Sequence, residues 1–176
     1  MAIYRYGIVD GERIDTFASN LPFTPHDVEI DGDGTVYVTG FSVNQTSSQR
    51  SVLRFDADGT PLSSFTAPTS ADPAGLVIDS AGDLWVNFYN SSQLVRFDHD
   101  GVPTVMPGGI TANRANNGLA IDACGSLFTV ANDNRGGAVN RLDGLAARLP
   151  LEASFDSTTG ETGGGPVGEG EGEGEG

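Results

Sequence analysis

Hydrophobic residues recur along this chain in short runs of about four to six residues, rich in Val, Ile, Phe and Tyr. The runs are separated by turn sequences such as DGDG, SAGD, DADG and DHDG. In such turns an Asp side chain hydrogen-bonds the backbone, and Gly accepts a positive φ. No window shows convincing helical periodicity, and the nearest one, GLAARLPLEA, is interrupted by Pro150. The pattern predicts an all-β protein built from hairpins.

The runs belong to a repeat. The same motif occurs at 27–40, 75–88 and 118–131. It consists of an apolar run, an Asp, two variable residues, a Gly and a second apolar run. A second motif follows each copy and contains an Arg at an equivalent position; these residues are Arg54, Arg96 and Arg141. Arg5 holds the matching place near the start of the chain. A further apolar segment trails each second motif, so each repeat supplies four strands.

Four short antiparallel strands in a repeat of about 40–45 residues are typical of a β-propeller blade. The strands are called a to d from the axis outward. The repeat predicts an outer half-blade at 1–19 and whole blades at 26–72, 73–112 and 116–155. This is an arc of about three and a half blades, whereas closed rings use about four to eight. We expect either a partial chain with missing blades or the assembly of two arcs into one ring.

Composition divides the chain into two parts. Residues 156–176 hold six acids, no cation and nine of the 25 glycines, which predicts a disordered Gly-Glu spacer after a propeller body at 1–155. The whole chain has a net charge of −15, and all nine of its cations are Arg. This acidity argues against nucleic-acid binding, which needs clustered cations. The sequence contains no apolar stretch of about 18 residues, so it predicts no membrane insertion.

The repeated motif resembles the NHL-repeat and gluconolactonase-like propellers, including the virginiamycin lyase group. The resemblance lies in P-x-G-L-x-I-D-x-x-G-x-L-W-V at 73–86 and N-G-L-A-I-D-x-x-G-x-L-F at 117–128, and it covers about residues 1–150. It implies a propeller, six-bladed in the gluconolactonase-like group. Such propellers host unrelated functions, so the motif is specific for the fold and weak for an activity.

The resemblance also implies a divalent metal, Ca, Zn or Mn, held in part by Asn117, which matches the Asn of an N-G-L metal motif. The other repeats depart from the motif, with Ala74 in one and His26 or Asp27 in another. A Ca²⁺ ion needs about six to eight oxygens, so one Asn does not make a site. Asn117 capping a turn is the competing interpretation.

The b–c and d–a connections of a propeller share one end, where longer and less repetitive loops favour a ligand site. The candidates predicted for this ligand-binding face are His26, Asn44, Asn87, Tyr89, Arg114, Asn132, Asp133 and Arg135. Asn and Tyr side chains suit hydrogen bonding to a polar or sugar-like ligand. Simple turn formation is the alternative at Asn132 and Asp133.

Two functions remain open. The first is a non-catalytic binding or scaffold module that presents this loop face to a ligand or protein. Asn44 and Asn90 begin N-glycosylation patterns, which fits an extracellular or cell-surface module. The alternative is a metal-dependent lactonase or a virginiamycin-type lyase whose catalytic set lies mostly in missing blades. No catalytic residue is assigned from the sequence.

Overall fold

A computed structural model describes residues 1–42, 50–89, 91, 93–106, 118–133, 136–142 and 151–156. Within these ranges every regular element is a β-strand, and the strands form one two-stranded and three four-stranded antiparallel sheets. The part of the chain that the structure describes contains no helix that could cross a membrane.

The two-stranded sheet, here called the outer hairpin, pairs β1 (Ala2–Tyr6) with β2 (Arg13–Ser19). Blade one contains β3 (Phe23–Ile30), β4 (Val36–Ser42), β5 (Ser51–Phe55) and β6 (Pro61–Thr66). Blade two contains β7 (Pro73–Ile78), β8 (Leu84–Phe88), β9 (Leu94–Phe97) and β10 (Pro103–Val105). Blade three contains β11 (Gly118–Ile121), β12 (Leu127–Asp133), β13 (Gly136–Leu142) and β14 (Leu151–Asp156).

Within each blade the strands pair in chain order, as the repeat predicts. The inner strands β3, β7 and β11 lie side by side, so the described sheets fan into an open arc. This confirms the all-β propeller arc. Blade one begins earlier than its predicted start at residue 26, because Phe23 is fully buried and pairs with Ser42 at the end of the neighbouring strand.

Within the described residues one turn structure recurs five times, between strands a and b of all three blades and between strands c and d of blades one and two. In its blade-two copy, Asp79 Oδ1 accepts hydrogen bonds from the backbone N–H groups of Ala81 (2.9 Å) and Asp83 (3.0 Å). Gly82 takes the left-handed conformation that closes the turn, with φ 84°. The indole N–H of Trp85 donates to the other carboxylate oxygen at 2.8 Å. The first Asp of each of the five turns accepts the same pair of backbone bonds; these residues are Asp31, Asp56, Asp79, Asp98 and Asp122.

These bonds change the titration of two of the turn carboxylates. At Asp31, partial burial alone would raise the pKa, but the donors from Thr35, Tyr37 and Asp33 together outweigh it and lower the pKa. At Asp122, the backbone N–H of Ser126 is the largest cause of the lowered pKa. The ionised carboxylates are therefore the forms that the folded turns prefer.

The blades bury their faces against each other. Leu76, Val86 and Phe97 of blade two pack with Tyr37 and Phe65 of blade one in a single cluster. The alternate residues of blade two face the other way, and Val77, Trp85 and Leu94 pack with Leu127 and Leu142 of blade three. Because side chains alternate along a strand, each middle sheet contributes to two interfaces. Trp85, only 1 % exposed, packs between blades two and three.

The c–d turn of a blade also contacts the outermost strand of the preceding blade. A Cβ added at Gly101, φ 81°, would lie 2.3 Å from the Phe65 ring of blade one. Gly59 holds the equivalent place in blade one, where a Cβ would lie 2.1 Å from the carbonyl oxygen of Phe17. Glycine is therefore required there by close packing as well as by backbone conformation.

We expect Gly101→Ala to destabilise the protein more than Gly82→Ala. Both glycines have a positive φ, which costs an alanine about 1–2 kcal/mol, but only Gly101 is packed against a ring, since nothing lies within 4 Å of a Cβ at Gly82. Urea unfolding of the two variants measures the difference. Equal losses of unfolding free energy would contradict the packing argument.

The lowered pKa values of Asp31 and Asp122 make stability depend on acid pH. A carboxyl whose pKa is lower in the folded state stabilises the fold above its unfolded pKa, which is about 3.9, and this contribution is lost as the pH falls through the folded pKa. We therefore expect the melting temperature to fall below about pH 4. Asn at both positions keeps an amide acceptor without the titration, so a double Asn variant should show a flatter profile. An unchanged profile would rule out these two carboxylates as its source.

Candidate functional site

Two inner strands are bulged near the end of the sheet where the b–c and d–a connections meet. In β3 the register shifts between Pro25 and Asp27, which makes His26 the extra residue. In β7 the shift falls between Pro73 and Leu76. Bulges free backbone groups from the ladder, redirect side chains and are common beside functional sites.

The freed backbone groups of the β7 bulge are bound by side chains from three strands. Thr39 of β4 donates its hydroxyl to the carbonyl of Ala74. The backbone N–H of Gly75 donates to Asn87 Oδ1 at 2.7 Å, and that of Leu76 donates to Asp27 Oδ2 at 3.0 Å. The bulge is thus a fixed feature that links blades one and two.

Asn87 is consequently a structural residue, and its prediction as part of the ligand-binding face is wrong. Its side chain is fully buried, and its Nδ2 also reaches the carbonyl of Gly118 in blade three at 3.5 Å. The strand alternation that buries Trp85 directs Asn87 to the same interface between blades, two residues further on.

An aromatic cluster lies at this end of the arc. The His26 ring meets the Phe41 ring edge to face, with centroids 4.7 Å apart and planes at 71°. The Phe41 ring meets Tyr89 in the same way, at 4.9 Å and 71°. His26 is exposed and Tyr89 is 36 % exposed, while Phe41 between them is half-buried. We call His26, Phe41 and Tyr89 the aromatic cluster.

A charged pair lies beside the cluster. The backbone N–H of Tyr89 donates to the carbonyl of Asp72 at 2.8 Å, so the Asp72 backbone adjoins Tyr89. Asp72 Oδ1 lies 3.8 Å from Arg50 Nε, and both side chains are about one-fifth exposed. That distance is too long for a hydrogen bond, and within the described ranges neither atom has another protein partner. The two atoms are buried, so this unmet hydrogen-bonding capacity lies within the contact between blades one and two.

The site brings together two of the predicted residues, His26 and Tyr89. Asn132 and Asp133 end β12, where their backbones pair with Gly137 and Gly136. The other predicted candidates lie outside the described residues; they are Asn44, Arg114, Asn117 and Arg135.

Sequence reasoning missed Phe41, Arg50 and Asp72. Phe41 had a signal, because it is the repeat equivalent of Tyr89: Phe41 lies five residues after Val36, which begins β4, and Tyr89 lies five residues after Leu84, which begins β8. Arg50 and Asp72 are far apart along the chain and carried no such signal. Their pairing depends on the contact between blades one and two.

The predicted metal ligand, Asn117, lies outside the described residues, so they can test only the carboxylates, histidines and cysteine around it. They contain no group of three or more His, Cys, Asp or Glu that could hold a metal ion. Asp27 is the carboxylate nearest the mouth of β3, and its oxygens accept the backbone N–H groups of Val28 and Leu76. Both carboxylate oxygens of Asp27 are therefore already hydrogen-bonded within the fold.

Solved propellers resemble this chain in structure. A catalytically inactive histidine-to-alanine variant of virginiamycin B lyase from Staphylococcus aureus with quinupristin superimposes with a TM-score of 0.66 at 18 % identity, covering 90 % of this chain and 49 % of the lyase. Regucalcin from Agrobacterium tumefaciens, titled a calcium-binding protein, gives 0.63 at 15 % identity, covering 85 % and 53 %. A putative gluconolactonase gives 0.57 at 22 % identity, covering 78 % and 52 %.

These likenesses establish the fold, a propeller of the type seen in gluconolactonase, regucalcin and virginiamycin B lyase. The chain spans about half the length of the structures it matches. No protein-family model and no curated protein matches it.

We expect Asn87→Ala to destabilise the protein by about 1–3 kcal/mol, because it leaves the buried N–H of Gly75 without an acceptor. Thr104→Ala, on the exposed outer strand of the same blade, is the control and should change stability by less than about 0.5 kcal/mol. Chemical denaturation measures both. A loss at Asn87 no larger than at Thr104 would show that the amide does not support the bulge.

Proposed function

We propose that this chain is a non-catalytic propeller module that binds a polar, sugar-like ligand at the aromatic cluster. The observation that carries the proposal is the assembly of His26, Phe41 and Tyr89 from two blades into one partly exposed group of rings. The charged pair of Arg50 and Asp72 adjoins it.

The chemistry of the cluster suits such a ligand. Exposed aromatic rings offer apolar surface to the C–H face of a sugar, and Tyr and His add hydrogen-bonding atoms at the rim. Phe41 contacts both outer rings and so limits their movement, which lowers the entropy lost on binding. The net charge of −15 disfavours anionic ligands and favours neutral or cationic ones.

Binding without catalysis is favoured by the surroundings of the histidine. A catalytic His needs a partner that orients its ring. In the described part of the chain His26 contacts Phe41 edge to face, an apolar neighbour that positions the ring without fixing a tautomer.

The alternative is a metal-dependent lactonase or a virginiamycin-type lyase. One observation favours it: a neighbour in fold is a virginiamycin B lyase variant that is catalytically inactive with a histidine replaced by alanine, and a histidine, His26, lies in the candidate site here. Another neighbour is titled calcium-binding. A metal in this chain would require ligands beyond Asp27, whose oxygens are engaged. Asn117 stays a proposed ligand in that case.

The proposed setting is extracellular or at a cell surface, with residues 156–176 as a spacer. The N-glycosylation patterns that begin at Asn44 and Asn90 support this setting, and the acidic, Gly-rich composition of 156–176 supports the spacer. A protein partner on the same face is compatible with the proposal.

Tyr89→Ala is expected to weaken binding to any glycan identified on a glycan array by about two- to tenfold, since one aromatic stacking contact is worth about 0.5–1.5 kcal/mol. Tyr89→Phe should keep most of the affinity. Leu62→Ala removes a side chain of similar exposure, 40 %, on the outer strand of blade one and should have no effect. Titration calorimetry measures all three. Equal affinity of the Ala variant and the parent would contradict the proposed site.

Divalent metals separate the two functions. The binding module should keep its melting temperature in millimolar Ca²⁺, Zn²⁺ or Mn²⁺, because a metal stabilises only a fold that binds it. A clear upward shift, lost in an Asn117→Ala variant, would favour the lactonase or lyase.

A further inference from the structure

The connection between blades one and two is fixed at both of its ends by backbone hydrogen bonds. The N–H of Ala67 donates to the carbonyl of Arg50 at 3.3 Å, which continues the pairing of β5 with β6 by one residue. The N–H of Tyr89 donates to the carbonyl of Asp72 at 2.8 Å, which continues the pairing of β7 with β8 in the same way. We call residues 67–72 the crossing segment. Its first residue is therefore bound to Arg50 and its last to Tyr89.

The Arg50 side chain joins the two ends of the crossing segment. Arg50 Nε lies 3.8 Å from Asp72 Oδ1, and both atoms are buried without a hydrogen-bond partner among the described residues. Opposite charges attract more strongly in a partly buried place than at the open surface, because less water screens them. The attraction therefore restrains Asp72, and with it the carbonyl group that Tyr89 binds.

The position of the Tyr89 ring depends on this carbonyl, because Tyr89 lies just past the end of β8. Its bond to Asp72 is the last one between the two inner strands of blade two that the described residues show at this end. The ring is 36 % exposed and meets Phe41 of blade one edge to face. A shift of the Asp72 carbonyl would therefore move the Tyr89 ring relative to Phe41 and change the outer edge of the aromatic cluster.

Arg50 is not part of the repeat. It lies four residues before the Arg of the second motif, a place that Ser92 holds in the second repeat and Gly137 in the third. A blade of this type is therefore built without an arginine at this place, so the packing of a blade does not by itself explain Arg50. Its contact with Asp72 occurs only beside the aromatic cluster.

We propose that Arg50, acting through Asp72, is a positioning residue for Tyr89 in the proposed ligand site. The pair holds the crossing segment so that the Tyr89 ring stays against Phe41 in the orientation that a ligand meets. Rings that are held in place before binding lose less entropy when the ligand arrives. The proposal rests on the function proposed above in its consequence for binding, whereas the restraint on the ring acts in the free protein.

NMR of the whole chain with ¹³C-labelled tyrosine rings tests the restraint without a ligand. The chain has four tyrosines, and Tyr89→Phe identifies the Tyr89 signals by their loss. Arg50→Gln removes the charge and is expected to shift or broaden the Tyr89 signals. Arg50→Lys keeps a cation within reach of Asp72 and should restore most of the parent's Tyr89 signals.

Tyr37 distinguishes positioning from a general loosening of the contact between blades. Its ring is buried in the apolar cluster that joins blades one and two, and its hydroxyl donates to Asp31 Oδ2. The Tyr37 signals should stay in place in Arg50→Gln. A change at Tyr37 as large as that at Tyr89 would overturn the proposal, because it would show that the arginine only supports the interface.

Arg96→Gln is the matched control. It removes another partly exposed ion pair, in which Arg96 Nη1 lies 3.4 Å from Asp83 Oδ2 in blade two. Asp83 precedes β8 whereas Tyr89 follows it, so this pair lies at the opposite end of the strand. The Tyr89 signals should be the same in this variant as in the parent, and an equal shift in the control would contradict the proposed role of Arg50.

Asp72→Asn gives a second test of the same contact. It should move the Tyr89 signals in the same direction as Arg50→Gln. The double variant should show little further change, because either substitution alone removes the attraction between the two charges. Fully additive shifts would show that the two residues act separately and would overturn the proposal.

Titration with methyl β-glucoside, a neutral sugar probe, connects the ring position to binding. Arg50→Gln should weaken its affinity by about two- to fivefold, the range expected for loss of a partly exposed ion pair, and Arg96→Gln should keep the parent's affinity. Equal affinity of Arg50→Gln and the parent would overturn the proposal, as would unmoved Tyr89 signals. Failure of the parent to bind the glucoside would count against the proposed sugar-like ligand, while the ring signals would still decide whether Arg50 positions Tyr89.

Discussion

Face-to-face packing between successive sheets is the interaction on which the rest of this structure depends. A four-stranded sheet of such short strands has no enclosed core of its own, so its stability comes from the apolar faces that it buries against its neighbours. The middle blade shows the outcome, with Leu76 and Val86 on one face and Val77 and Trp85 on the other, all less than one-tenth exposed. The turns and bulges are arranged around this packing. Their polar groups are bound within the turns or by side chains of the adjacent blade, which leaves the sheet faces apolar.

The same packing positions the candidate site. Because the inner strands lie side by side, the bulge of β3 and the end of β8 come close enough for Phe41 to contact both His26 and Tyr89. The site therefore belongs to two blades and exists only in the assembled arc. The packing between blades also explains why neighbouring residues have different roles. Asp27 and Asn87 bind backbone groups of the β7 bulge, whereas the aromatic rings near them remain accessible.

Most of the fold could be predicted from the sequence, since each repeat contains its own turn and alternation signals. The Asp and Gly of a turn such as Asp79 to Gly82 form local bonds that need no tertiary partner. The candidate site was predicted less well. His26 and Tyr89 were predicted because they follow the loop-end pattern and the structure brings them together, but Asn87 follows the same pattern and is fully buried. Phe41 could have been found from its repeat equivalence to Tyr89, whereas the Arg50–Asp72 pair joins distant segments that no local signal connects.

The sequence by itself determined the strands, their order within a blade and the turn chemistry, because these depend on residue type and on contacts between neighbours in the chain. Tertiary structure decided which side chains are buried between blades and which line the site. That distinction depends on the bulges, since an extra residue in β3 or β7 changes which side of the strand the following residues face. It also decided that Val28 is 49 % exposed while its repeat equivalent Leu76 is 2 % exposed, because a repeat encodes the same faces whether or not another blade covers them.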